Sequence, residues 1–376
     1  MYKMMQNTLD ALQQSGQLRT LPEAVQGLDL CSNDYLGIAR DTARYSAFVQ
    51  RWLDEESAAS SASASRLLGG AAQAAALVEE TAARVFSRPA LYLNSGYHAN
   101  IGLLPILAGK GDLIVADKDI HASLIDGARL SAARLLRYPH QDLQALHKLL
   151  ARHRGEYRHV WLVSESVFSM DGSVSDLPAL LALKEEFAAH LYIDEAHAVG
   201  IFGDGLGIAH EQGVAQDVDV LVMPCAKALA SYGALVLLDE VTRRYVVNHC
   251  RSLIFASALP PMVAAWTAQI LALLPEFAAA RQRLFANTLA MQGALGISTT
   301  TARPAPIVPL VIGDNARTMQ LAAALRDDGI AVGAVRYPTV PKGMAQLRLC
   351  VNADLTADNI ARVGERIAVQ RRALGA

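Results

Sequence analysis

The chain is short of several things a 376-residue protein could carry. Cysteine occurs four times, at Cys31, Cys225, Cys250 and Cys350, widely spaced and without a CxxC pair. That excludes a disulfide framework and fits buried thiols in a reducing compartment. Charged residues make up 19%, below the usual ~25%. Thirty-four basic against 36 acidic side chains leave a net charge of −2. Nothing in that balance invites a nucleic acid or an anionic membrane. Nor is there a long hydrophobic run that reads as a span. Ile254 to Pro275 is free of charge, but it contains Pro260, Pro261, Thr267 and Gln269, and its helical part, Met262 to Leu274, is too short for ~30 Å of hydrocarbon. It reads as a buried interdomain helix. The first nineteen residues are polar and Gln-rich, with no apolar stretch ahead of a small-residue cleavage site. The expected location is the cytoplasm.

What is present is apolar: hydrophobic residues reach 52%. This excludes disorder as the dominant state and suggests a heavily buried globule of two to three domains, on a prior of roughly 100–200 residues each. Asn7 to Gln17 reads as a short helix, and Leu18 to Pro22 follows it. A short apolar segment at Gly27 to Cys31 then enters the turn-rich Ser32-Asn33-Asp34-Tyr35-Leu36-Gly37. Ser57 to Ser65 is a serine/alanine tract, whose composition alone reads as a flexible linker.

From Ala82 to about Glu240, short β-rich runs alternate with helical patterns. The expected strands are Ala90–Asn94, Asp112–Ala116, Ala133–Tyr138, His159–Ser164, His190–Ile193, Val218–Met223 and Ala234–Leu238, with helices such as Asp142–His153 and Leu177–Ala189 between them. Such alternation predicts an α/β fold with a largely parallel sheet covered on both faces. A helix over Val263–Ala280 leads into a smaller α/β set, with strands Ile307–Ile312, Ala331–Val335 and Gln346–Val351 and helices Ala316–Asp328 and Ala357–Arg372. The expected division is an N-terminal segment 1–45, a large domain 46–262 and a small C-terminal domain 263–376.

Four constellations carry chemistry. Asp194-Glu195-Ala196-His197 ends an apolar strand, where a carboxylate faces the ligand crevice of an α/β sheet. The same letters occur in helicases beside a GxxxxGK[ST] loop, which is missing here; Gly109-Lys110 is followed by Gly111. An acidic loop capped by a satisfied histidine is the bland alternative. Lys227 is one of only seven lysines against 27 arginines and sits among apolar residues. Desolvation lowers a lysine's pKa and makes it an amine nucleophile suited to Schiff-base chemistry. Asn94-Ser95-Gly96-Tyr97-His98-Ala99-Asn100 joins a strand to a helix, a junction whose backbone N–H groups can bind an anion or simply turn the chain. His121, followed by Ala122-Ser123, is a capping or a cofactor-facing histidine. A phosphate turn, a ring histidine, an aspartate and a lysine, in that order, fit one cofactor, pyridoxal 5′-phosphate.

The chain resembles the α-oxoamine synthases, a branch of the fold-type-I pyridoxal-phosphate transferases (aspartate aminotransferase-like), from about residue 17 to the C-terminus. The matching segments include Ser32 to Gly37, Ser95 to Asn100, His121 to Ser123, Glu165 to Gly172, Asp194 to His197, Pro338-Thr339-Val340-Pro341 and Leu347-Arg348-Leu349. Val311 to Asn315 is similar to the biotin-pathway branch. The resemblance implies that Lys227 forms the Schiff base and moves protons, Asp194 holds the pyridine nitrogen protonated, His197 bonds the phenolic oxygen and His121 stacks on the ring. Gly96, Tyr97 and Ser169 would help bind the cofactor, Arg19 and Thr339 would contact substrate, and Arg348 would clamp an amino-acid carboxylate. The implied reaction is decarboxylative condensation of L-alanine with a pimeloyl thioester in a homodimer. Sister readings use glycine or serine with another acyl-CoA, and a non-catalytic homologue is the third. Two positions depart from the family pattern. Ser61-Ala62-Ser63-Ala64-Ser65 replaces a glycine-rich stretch before Arg66, and Pro224 stands where a phosphate-contacting threonine is usual.

Overall fold

The structure is a computed structural model that describes residues 1–21, 26–54, 59–299, 301 and 303–374. Its strands, in chain order, are β1 (Leu28–Leu30), β2 (Ala90–Leu93), β3 (Leu113–Asp117), β4 (Arg134–Tyr138), β5 (Val160–Glu165), β6 (His190–Asp194), β7 (Val220–Pro224), β8 (Ala234–Leu237), β9 (Ile307–Gly313), β10 (Ile330–Val335) and β11 (Ala345–Cys350). The chain packs as two units. The larger comprises Leu36–Phe168 and Ser173–Arg281; the smaller comprises Met1–Tyr35, Ser169–Gly172 and Gln282–Ala376.

The larger unit holds a seven-stranded sheet in the order β2-β8-β7-β6-β5-β3-β4. The pairs from β7 through β4 are parallel, whereas β8 runs antiparallel to both β7 and β2. Every residue of β3 and β5 is buried. Helices on both faces remove the solvated side that would otherwise impose apolar–polar alternation, so these strands read as apolar runs up to their last residues, Asp117 in β3 and Ser164 and Glu165 in β5. The flanking helices begin where a side chain can satisfy their free N–H groups. Asp142 accepts from Ala145 N to start Leu143–His153, and Asp176 accepts from Ala179 N to start Leu177–Glu186. The core of this unit gathers Leu103, Leu104, Ile114, Val163, Tyr192, Val222 and Val236.

The smaller unit has a four-stranded sheet, β1-β10-β11-β9, in which β1 joins β10 in parallel and the other pairs are antiparallel. Thr356 and Asn359 form a reciprocal cap on the last helix, Ala357–Ala373.

Three expectations change. The first helix is Tyr2–Gln14, earlier than Asn7–Gln17. Met4, Met5, Leu9 and Leu12 recur at helical spacing and carry the helix back to Tyr2, although none of its residues is buried. The single helix expected over Val263–Ala280 is broken into Pro261–Ala272, a 3₁₀ turn at Leu274–Phe277 and Ala278–Ala294. Pro275 lacks an N–H and cannot continue the first helix. Residues 59–65 of the serine/alanine tract form a built loop near their end: Ala64 O accepts from Ala258 N at 2.9 Å, and Ser65 bridges Ser257. Ser57, Ala58 and Pro22 lie outside the described residues. Among the described residues, no single helix is long and apolar enough to cross a membrane.

Candidate active site

In the larger unit the chemistry gathers where parallel strands end. Asp194 closes β6, Glu165 closes β5, Lys227 follows β7, His121 follows β3 and Ser95 follows β2. The carboxyl ends of the strands are where an α/β sheet leaves a crevice for ligands.

Asp194 is 4% exposed and fixed by donors on both oxygens. Asn100 Nδ2 donates to Oδ2 at 2.8 Å, and Ala196 N donates to Oδ1 at 2.9 Å. The Asn100 amide is itself locked, because Tyr192 donates its hydroxyl to Oδ1 at 2.7 Å and Nδ2 also reaches Ser123 Oγ at 2.9 Å. Sequence reasoning quoted Asn100 within a motif without giving it a task. Its signal was a polar residue at a helix position whose neighbours Ala99 and Leu103 are apolar and buried.

Lys227 Nζ lies 2.8 Å from His197 Nε2, which joins the lysine after β7 to the histidine after β6. His197 is buried and Lys227 half-buried. His121 caps the helix Ala122–Leu130: its Nδ1 accepts from Ser123 N at 3.2 Å, while its residue stays exposed. Partial burial of the ring holds its pKa below the usual histidine value. Lys227 adds to that effect, and Asp194 and Asp126 oppose it.

Gly96 opens the helix Gly96–Leu107, which Ser95 caps by accepting from His98 N. Its absent side chain is used: a Cβ there would meet Pro224 Cγ at 2.5 Å. Tyr97 is exposed and donates its hydroxyl to Asp126. Arg66 is engaged within the fold, bonding Tyr92 O at 2.9 Å and Glu79 Oε1 at 2.7 Å.

Four expected site residues belong to the smaller unit. Arg348 on β11 is held at three points: its Nε donates to Ser169 O at 2.6 Å, Nη2 to Asn33 Oδ1 at 3.2 Å and Nη1 to Cys350 Sγ at 2.7 Å. Asn33 Oδ1 also accepts from Tyr35 Oη at 2.9 Å. Arg19 Nη2 donates to Thr339 Oγ1 at 3.3 Å, and Arg336 Nη2 ties Leu18 O at 2.7 Å. Within this unit Arg348 and Ser169 come together, as do Arg19 and Thr339.

A lysine amine beside an imidazole, a buried carboxylate with both oxygens fixed, an open histidine ring and a capped helix N-terminus make up the donor set that pyridoxal 5′-phosphate needs. The larger unit thus has the fold and chemistry of a fold-type-I pyridoxal-phosphate enzyme. The family described as aminotransferase class I and II matches residues 25–367, and the chain belongs to that family, within its α-oxoamine synthase branch. It is a pyridoxal-phosphate-dependent acyltransferase. An 8-amino-7-oxononanoate synthase of Haemophilus ducreyi is 43% identical, over 93% of this chain and 95% of that protein. Among solved structures, a serine palmitoyltransferase of Sphingomonas wittichii matches with a TM-score of 0.86 at 30% identity, covering 92% of this chain and 87% of that one. The 8-amino-7-oxononanoate synthase of Francisella tularensis matches with a TM-score of 0.75 at 26% identity, covering 93% and 99%.

Proposed function

We propose that the protein condenses L-alanine with a pimeloyl thioester, releasing carbon dioxide and the thiol carrier and forming 8-amino-7-oxononanoate for biotin synthesis. The observation that carries this reading is the 43% identity, over nearly full length, to the Haemophilus ducreyi synthase. Pyridoxal 5′-phosphate, when bound, supplies the electron sink for the carbanion that attacks the thioester. Asp194 would bond the ring nitrogen, with Asn100 and Ala196 N–H holding both of its oxygens. Lys227 Nζ takes and returns the proton at the alanine α-carbon, and His197 at 2.8 Å keeps that amine in place. The open His121 ring gives the cofactor an aromatic face, and the Ser95–Tyr97 backbone offers donors to its phosphate. The Arg348 guanidinium, braced by Ser169 and Asn33, presents its donors to the amino-acid carboxylate. Arg19 and Thr339, bonded to each other, are the further substrate contacts of this reading. The working form is a homodimer in the cytoplasm, a compartment that suits four free thiols.

Serine with a long acyl-CoA is the second reading, favoured by the better backbone fit to the serine palmitoyltransferase than to the Francisella enzyme. Both are tested by coenzyme A release from purified protein offered alanine, glycine or serine with a panel of acyl-CoAs. Release confined to alanine with pimeloyl-CoA is expected. Release with serine and palmitoyl-CoA would replace the first reading with the second, and silence with every pair would sink both.

A further inference from the structure

One buried acid has no task in the chemistry above. Glu165 is 2% exposed and ends β5, and its register partner across the parallel ladder is Asp194, the last residue of β6. Paired residues on neighbouring parallel strands point to the same face, ~4.8 Å apart in the backbone. Two carboxyl groups so placed, both out of water, oppose each other's ionisation. Their donors differ. Asp194 receives N–H bonds on both oxygens, from Asn100 and Ala196. Glu165 Oε1 receives one, from the main-chain N–H of His121. Lys227 is among the groups facing Glu165, as are Asp194 from β6, Asp117 from β3 and the His121 N–H. Burial, with Asp194 next, pushes the Glu165 carboxyl up to about 8, and Lys227 opposes this.

We propose that Glu165 is a positioning residue of the cofactor site. It stays a neutral acid at pH 7 and so adds no second charge beside Asp194. It also clamps the His121 N–H, which fixes the height and tilt at which the imidazole meets the cofactor. The clamp falls at the N-cap, where His121 leaves β3's loop for the helix Ala122–Leu130, so a small backbone shift there swings the whole ring. The inference rests on the cofactor roles proposed for Asp194 and His121 and is independent of which acyl substrate is used.

The test uses holoprotein and reads the bound cofactor, by its dissociation constant and its visible circular dichroism. Glu165→Gln is neutral at every pH and retains an acceptor oxygen. At pH 7 its spectrum should overlay that of the wild type, and it should lack the change that the wild type shows as pH rises through about 8. Glu165→Leu is neutral but cannot hold the N–H. It should bind the cofactor about tenfold more weakly, the effect of losing one ordinary hydrogen bond, with reduced visible dichroism. If the leucine variant does not fold, Glu165→Asp, shorter by one methylene, should show the same loss. A glutamine variant already altered at pH 7 would mean that the wild-type carboxyl is charged and would overturn the proposal. Unchanged dichroism and affinity in the leucine or aspartate variant would do the same. Asp194→Ala, run alongside, separates the cases. If it binds cofactor normally, the site reading itself fails; if it loses cofactor while Glu165→Leu does not, only the role of Glu165 fails.

Discussion

The ring of Pro224 fills the space that a side chain on Gly96 would need: a Cβ on Gly96 would lie 2.5 Å from Pro224 Cγ. The end of β7 and the start of the helix Gly96–Leu107 are thus fitted to each other. Gly96→Ala should destabilise the protein by about 1–3 kcal/mol, the usual cost of overpacking, and loosen the cofactor with it. Pro224→Ala should restore most of that loss. Denaturant melts of both single variants and the double variant check it, and simple additivity would show that the two residues do not compete for space.

Pro224 carries neither hydroxyl nor N–H, so the position can donate nothing to an anion. Pro224→Thr should therefore slow the loss of pyridoxal phosphate during dialysis against a carbonyl scavenger, by at most about 1.5–3 kcal/mol for one bond to a charged group. Removing the ring from Gly96 offsets part of the gain. Equal or faster loss from the variant would show that the loop depends on proline.

Borohydride reduction of the holoprotein, followed by peptide mapping, should place the pyridoxyl group on Lys227. Lys227→Ala should leave the cofactor removable by gel filtration. A label on Lys184 or Lys342 instead would move the active site elsewhere.

Arg348→Ala should weaken alanine binding far more than cofactor binding. Charge-assisted bonds are worth about 1.5–3 kcal/mol, roughly ten- to 150-fold. Spectroscopic titration with alanine reads this directly, and an unchanged alanine affinity would give the carboxylate to another group.

Glu195 takes no part in the proposed chemistry and serves the fold. Its buried carboxyl accepts from Ile208 N at 2.9 Å, Ala209 N at 2.7 Å and Ser166 Oγ at 3.1 Å. Burial raises its pKa to about 7 although those bonds oppose the shift. The unfolded chain releases this proton near 4.5, the folded chain near 7. The stabilising contribution is therefore complete below about 4.5 and lost as pH rises to about 7. Glu195→Gln turns an amide NH₂ towards a backbone donor and should cost about 1–3 kcal/mol at pH 5.5. The deficit should shrink by pH 7.5, because the variant lacks the wild-type slope. Urea denaturation at the two pH values tests this; a deficit that widens with pH would contradict the assignment.

Local periodicity made the larger unit legible. Its runs from Ala90 to Leu237 are bounded by turns, and each is a strand to within one or two residues. Alternation with helices points to parallel pairing but is silent about β8, whose direction depends on how nine residues after Pro224 turn back to Ala234. Lys227 could be named because a rare residue type stands in apolar surroundings and Asp194 because it ends an apolar strand, whereas the roles expected of His197 and His121 come from the family resemblance. The partners of Asp194 could not be named. Asn100 is 94 positions away from it, and Glu165 meets it only through the register of β5 against β6. Asn33 escaped notice for the same reason, since its contact with Arg348 joins opposite ends of the chain.

The direction of β8 has a kinetic consequence. Because β8 returns antiparallel beside β7, Lys227 lies in a short hairpin connection anchored at both ends. Cys225 N bonds Gly233 O at 2.9 Å, Ser231 N bonds Cys225 O at 3.0 Å and Ala230 N bonds Lys227 O at 2.9 Å. The Cys225 amide, which continues the β7–β8 ladder, should exchange deuterium as slowly as the strand interior, and the Ala230 amide, which closes a local turn, should exchange faster. The lysine proposed to hold the cofactor is thereby tied to the sheet by a connection that starts and ends on ladder bonds, and heat should release the cofactor only as that part of the sheet comes apart.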